Sequence, residues 1–129
     1  MDKIRIAVRK FDPFQITLQK LWDAFCIENN ISMEAEMIPL ELHDLYEETL
    51  TKEGLKNGDW DIAHINTDWI FDAVNANAVE NLSPLISQNP PQNFPEGWHQ
   101  SLLHLQEINN QVYGLPFHDG PECLIYRKD

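Results

Sequence analysis

The hydrophobic period of this chain switches repeatedly between two and about 3.6, and that rhythm narrows the folds open to it. Lys3 to Val8 alternates polar and apolar residues and is rich in Ile and Val, which predicts a first strand. Asp12 and Pro13 break it, and Leu18, Leu21, Trp22 and Phe25 then recur at helical spacing up to about Asn29 and Asn30. Met33 to Ile38 alternates again, with Pro39 as its expected stop. Leu42, Leu45, Tyr46 and Leu50 make the inner stripe of a second helix that should end near Gly58. A third strand is expected over Trp60 to Ile65, a short third helix over Asp68 to Ala76, and a loop through "ENLSPLISQNPPQNFPEG". Val112 to Phe117 reads as a further strand, His118 to Pro121 as a kink, and Leu124 to Tyr126 as a last apolar strand.

Strand and helix in alternation point to an α/β fold, a parallel sheet with helices on both faces. In such sheets ligands sit beyond the carboxyl ends of the strands, where strand order reverses. The residues to watch therefore follow the strands: Phe11 and Asp12, then Asn66 to Trp69, then His118 to Glu122.

Composition removes several functions. Nine basic against twenty-one acidic residues give a net charge of −12, so nucleic acid and anionic membrane are poor partners. A hydrophobic content of 43% over 129 residues supports one domain-sized core. No stretch reaches the roughly 20 apolar residues of a membrane span. Charged residues interrupt "MDKIRIAVRKFD", so no signal peptide is expected there.

Specific chemistry is scarce. No glycine pattern cradles a phosphate, and no serine sits in a nucleophile elbow. His99 and His104 lie five apart, off a common helix face, which argues against zinc. Cys26 and Cys123 are far apart in apolar surroundings and read as buried thiols. A phospho-acceptor receiver needs a cluster of aspartates, and only Asp12 follows the first strand. No enzyme, cofactor or metal is expected.

What remains is carboxylates beside aromatics at strand ends: Phe11 with Asp12, Asp68 with Trp69, and Phe117 with Asp119. Carboxylates accept from paired hydroxyls and aromatic faces stack on the apolar face of a sugar ring; the same parts could hold an amine. The plainer reading is that Asp12 and Asp68 cap the helices that follow them. Trp22 and Trp60 read as core.

"DWDIAHINTDWIFDAVNANAVENLSPLI" and "INNQVYGLPFHDGPECLIYRKD" resemble two passages of the extracellular solute-binding proteins of family 1, the substrate-capture subunits of ABC importers. Tyr113 to Pro116, a short kink, and then Leu124 to Asp129 carry the resemblance most specifically. It implies a periplasmic-binding-protein-like clamshell of type II whose two α/β lobes close on a sugar or oligosaccharide. It implies residues 1–117 as the first lobe, 118–122 as the hinge and 123–129 as the first strand of the second lobe. On this reading the chain is truncated at the hinge crossing and offers half a cleft.

The resemblance places Thr67 and Asp68 at the corner facing the cleft; the strand-end pattern itself makes Phe11, Asp12, Asp68 and Trp69 the expected ligand contacts. Asp119, Gly120 and Pro121 would be hinge, Asp119 also touching ligand. The implied partners are the importer's permease subunits, at a periplasmic or cell-surface location. An unpaired Leu124–Tyr126 strand would favour a dimer or a strand-swapped assembly. Two alternatives stand beside this: a polyamine as ligand of the same fold, and a self-contained α/β effector-binding or sensor domain.

Overall fold

The computed structural model describes residues 3–119 and Arg127. The chain divides into two compact units, Met1–Glu80 and Asn81–Asp129. The first is mixed α/β: a three-stranded parallel sheet flanked by helices.

Strand β1 (Lys3–Arg9) lies at the centre, paired in parallel with β2 (Glu34–Leu40) on one side and β3 (Ile62–Ala63) on the other. The register sets Lys3 opposite Glu34, Arg9 opposite Leu40, and Ala7 opposite both Ile38 and Ala63. Pro39 does not end β2 as its ring suggests; the strand runs on to Leu40. Among the described strands β2 is an edge, and its outer side needs no ladder donor, so a proline fits there.

Helix α1 (Asp12–Asn29) joins β1 to β2. Phe11 is its N-cap residue in extended backbone, Asp12 stands in its first turn, and Pro13 brings a φ already set for helix. Asn30 ends it in the left-handed region, φ 54°. Phe14, Leu18, Trp22 and Cys26, spaced by four, form its half-buried stripe. The Trp22 indole N–H donates to the Met33 carbonyl at 3.3 Å. Trp22 is thus at the margin of the core, whereas Trp60 is within it at 7% exposure.

The second helical stretch is less regular than its apolar spacing predicts. It begins as α2 (Leu42–Tyr46) and widens into a π-helical turn over Glu47–Thr51. It resumes as α3 (Gly54–Asn57) and ends at Gly58, φ 80°. Thr49 is fully buried in the widened turn, its hydroxyl donating to the Leu45 carbonyl at 2.5 Å. Ala7, Leu45 and Trp60 form the core, with Ile38, Leu40, Leu55, Ala63 and Trp69 packed around them.

The third strand is much shorter than the Trp60–Ile65 run expected: only Ile62 and Ala63 form ladder pairs. Side chains extend it at both ends. The Asp61 carboxylate accepts from the Arg5 amide at 2.8 Å, and the His64 Nδ1 accepts from the Arg9 amide at 3.2 Å. A 3-10 turn at Thr67–Trp69 follows and leads into α4 (Ile70–Asn75), so the expected third helix starts as a tighter turn.

In the second unit, the segment read as loop contains helix α5 (Ser83–Gln88). Its start is fixed by the Asn81 side chain, which accepts from the Ser83 amide at 3.0 Å, and by Pro84 in its first turn. Helix α6 (Gln100–His104) precedes a small hairpin, β4 (Glu107–Ile108) and β5 (Gln111–Val112). Asn109 and Asn110, at φ 52° and 61°, make its turn. The expected Val112–Phe117 strand is corrected: the strand ends at Val112, one further bond runs from the Tyr113 amide to the Gln106 carbonyl at 3.0 Å, and 113–119 have no regular structure. Gly114 and Pro116 explain this, the first favouring turns and the second supplying no ladder donor. The expected Leu124–Tyr126 strand, and Cys123 with it, lie outside the described residues.

Candidate functional site

The strand order β2-β1-β3 has a consequence for binding. From β1 the chain moves outward to β2, then returns past β1 to β3, so order reverses between β1 and β3. Connections leaving those two strands diverge, and the space between their carboxyl ends is where open α/β sheets accept ligands. Phe11 and Asp12 leave β1 at this edge; His64 and then Thr67, Asp68 and Trp69 leave β3 beside them.

Phe11 is 52% exposed and meets Phe14 edge to face, ring centres 4.9 Å apart. Phe14 in turn meets the His64 ring edge to face at 5.7 Å. Asp12, Thr67 and Asp68 are exposed. Neither aspartate caps its helix: the cap positions are Phe11 and Asn66, with no side-chain cap bond at either. Both carboxylates stand in the first turn of the structure they open. Trp69 differs from the others. It is half-buried against the Ala7–Leu45–Trp60 core and meets Tyr46 edge to face at 5.0 Å.

The local charges are ordered. Arg9 and Lys10, the cations at the exit of β1, both pair with Glu41, at 3.2 and 3.1 Å. The Lys10 hydrogen bond, then that from Arg9, holds the Glu41 carboxyl below its ordinary pKa. Burial holds the His64 imidazole below the ordinary histidine value. Since its Nδ1 accepts from an amide, the bonded ring is the neutral form with its proton on Nε2.

His64 is the residue that sequence reasoning passed over. The available signal was a polar side chain directly after the run "DWDIA", at the kind of strand edge where open α/β sheets accept ligands.

Asp119 belongs to the second unit and is exposed, while Gly120 and Pro121 lie outside the described residues. The Trp98 indole N–H donates to the Pro116 carbonyl at 3.1 Å, with Phe94 edge to face at 5.7 Å, so Trp98 anchors its own unit. His99 accepts from the Ser101 amide at 3.4 Å and caps α6.

Among the described residues no cluster of three or more His, Cys, Asp or Glu could hold a metal. No helix among them is long and apolar enough to cross a membrane.

Two hollows lie elsewhere. One of about 390 Å³, lined by Gln19, Trp22, Asp23, Met33, Glu34 and Ala35, is at the amino end of β2, opposite the edge just described. The other, about 330 Å³, is inside the second unit beside α5 and the hairpin. The candidate corner is instead an open surface of half-exposed rings and carboxylates.

Compared with models of known protein families and with curated proteins, the chain has no match.

Proposed function

We propose that this chain captures a sugar or oligosaccharide as the first lobe of a two-lobed solute-binding protein serving an ABC importer. The observation that carries the reading is the switch in strand order between β1 and β3, with an exposed aromatic and carboxylates on the segments leaving both strands. Right-handed crossovers in the two opposite directions would put α1 and α2 on opposite faces of the sheet, as the clamshell lobe requires.

Phe11 supplies a ring face for stacking on pyranose C–H groups, and Asp12 and Asp68 supply acceptors for paired hydroxyls. Thr67 adds a hydroxyl. Trp69 chiefly fixes the corner to the core, offering its exposed edge to the ligand. Asp119, Gly120 and Pro121 remain the proposed hinge, with Gly120 permitting backbone rotation.

A polyamine is favoured by one feature of the same corner: Glu41 pairs with both Arg9 and Lys10, which leaves the edge acidic in character. The two ligand classes separate by ionic strength, because polycation binding weakens as salt rises and sugar binding does not.

The test is a thermal-shift and calorimetric screen of the chain, and of the two-lobed protein that the proposal calls for (the parent), against mono- and oligosaccharides and polyamines. Stabilisation of the parent by one sugar class, weakened in Phe11→Ala, supports the proposal. Salt-sensitive stabilisation by spermidine moves it to the second ligand class. No response from the parent to any member of either class would sink it.

A further inference from the structure

At each end of the β1–β3 pairing a side chain supplies an acceptor beside the backbone bonds, and the two ends differ in kind. At the amino end the Arg5 amide donates to the Asp61 carboxylate at 2.8 Å while the Asp61 amide donates to the Arg5 carbonyl at 3.0 Å. At the carboxyl end the His64 amide donates to the Ala7 carbonyl at 2.9 Å. There the next acceptor, the one that receives the Arg9 amide, is the His64 imidazole at 3.2 Å. A backbone carbonyl in that place would be indifferent to pH. An imidazole is an acceptor only while neutral; once protonated, both its nitrogens are donors.

We propose that His64 is a positioning residue, a proton-operated latch that fastens the exit of β3, leading to Thr67–Trp69, to the exit of β1, leading to Phe11 and Asp12. This rests on the proposed function for its purpose, since it is the two faces of the ligand corner that the latch aligns. Protonation sets two N–H groups against each other and places a charge beside the Phe14 ring. The pairing then opens at that end, and the two exits move independently.

The surroundings favour the neutral form. Phe14 of α1 covers the ring from one side with its edge-to-face contact at 5.7 Å. From β1 comes Arg9, whose guanidinium pairs with Glu41; next to it Lys10 pairs with the same carboxylate. Asp12 opens α1 and Asp68 lies in the turn after β3, and both are exposed to solvent. Burial lowers the imidazole's pKa, so the latch is closed at neutral pH and opens only below the ordinary histidine value.

The experiment is an NMR titration of the whole chain from about pH 8 to about pH 5 with no ligand present, so that a failed ligand assignment leaves its outcome unaffected. It follows the His64 imidazole, the Arg9 and Arg5 amides, and the Trp69 indole N–H. The expected result is that the Arg9 amide and the Trp69 indole shift with the midpoint of His64. Hydrogen exchange at Arg9 should rise at least tenfold below that midpoint, after correction for intrinsic rates. The Arg5 amide, held by the Asp61 carboxylate at the other end of the pairing and out of reach of the imidazole, should not follow.

In His64→Asn the side-chain oxygen keeps an acceptor that does not titrate, so Arg9 should stay protected and the midpoint should vanish. An Arg9 amide indifferent to the His64 titration would overturn the latch. So would an Arg9 response with no movement at Trp69, because the imidazole would then be a local bond that positions nothing.

Discussion

Phe11 and Trp69 look alike as aromatic bets beside an aspartate, but their surroundings give them different work. Phe11 is half-exposed, so Phe11→Ala should change stability by no more than about 0.5 kcal/mol while weakening sugar binding several-fold. Trp69 packs on the core, so Trp69→Ala should cost about 3 kcal/mol in stability whatever it does to ligand. Urea melts of the two variants, set beside their binding curves, separate the roles. Gly54 is a steric case. An added Cβ would run into the Glu48 carbonyl and stand 2.7 Å from the Trp60 ring. Gly54→Ala should therefore destabilise by about 1–3 kcal/mol in the same melts, although alanine is the better helix former. His64 gives a pH dependence whose sign is set by its lowered pKa. The unfolded chain binds this proton more readily than the folded one, so full stability is present above the ordinary histidine value. It falls as pH drops through that value and on through the folded pKa. Chemical melts between about pH 8 and pH 5.5 should show this slope in the native chain, and His64→Asn should flatten it.

At the scale of elements, the helices show how end residues decide what spacing alone leaves open. Asn30 holds φ 54° at the end of α1, where its amide donates to Ile27 and the Ile31 amide donates to Cys26. Glycine adopts this conformation without a Cβ penalty, so Asn30→Gly should leave stability unchanged or raise it by up to about 1 kcal/mol. Asn30→Val should lower it by about 1–2 kcal/mol, and the pair of thermal melts tests the assignment of the cap. The π-helical turn at Glu47–Thr51 is a different kind of departure. It admits one extra residue per turn and lets Thr49 occupy a fully buried place while its hydroxyl bonds back to Leu45. The exposed apolar residues of α1, among them Ile16, Leu21, Phe25 and Ile27, lie off the half-buried stripe that faces the sheet.

Over the whole molecule, the net charge of −12 acts on both units through self-repulsion. Raising sodium chloride from about 20 to about 200 mM should raise the Tm by a few degrees, since screening at those concentrations reaches the spacing of surface carboxylates. A flat Tm over that range would mean that the ion pairs of Lys3, Arg5, Arg9, Lys10, Lys52 and Lys56 already balance the local field. The same salt series applied to ligand binding distinguishes a sugar from a polyamine at the candidate corner.

Local periodicity was enough to give the α/β class of the first unit. Alternating Ile and Val over Lys3–Val8, the four-residue stripe of α1 and the alternation of Met33–Ile38 each follow from local geometry, and each appears as an element where it was expected. Periodicity also located the exit of β1, which Phe11 and Asp12 follow, but it carried the third strand to Ile65, two residues beyond its last ladder pair. Other features were decided only in three dimensions. Pro39 stays in its strand because β2 is an edge. The third strand forms ladder pairs over two residues only, and the Asp61 and His64 side chains accept β1 amides beyond them. Aspartates 12 and 68 open their turns without capping them, because the chain enters through Phe11 and Asn66. The strand order that puts the β1 and β3 exits side by side is likewise a property of pairing across 56 residues, Ile6 with Ile62. Periodicity reports which face of a segment is apolar; which segment it meets, and which side-chain atom completes the ladder between them, is settled by contacts far apart in the chain.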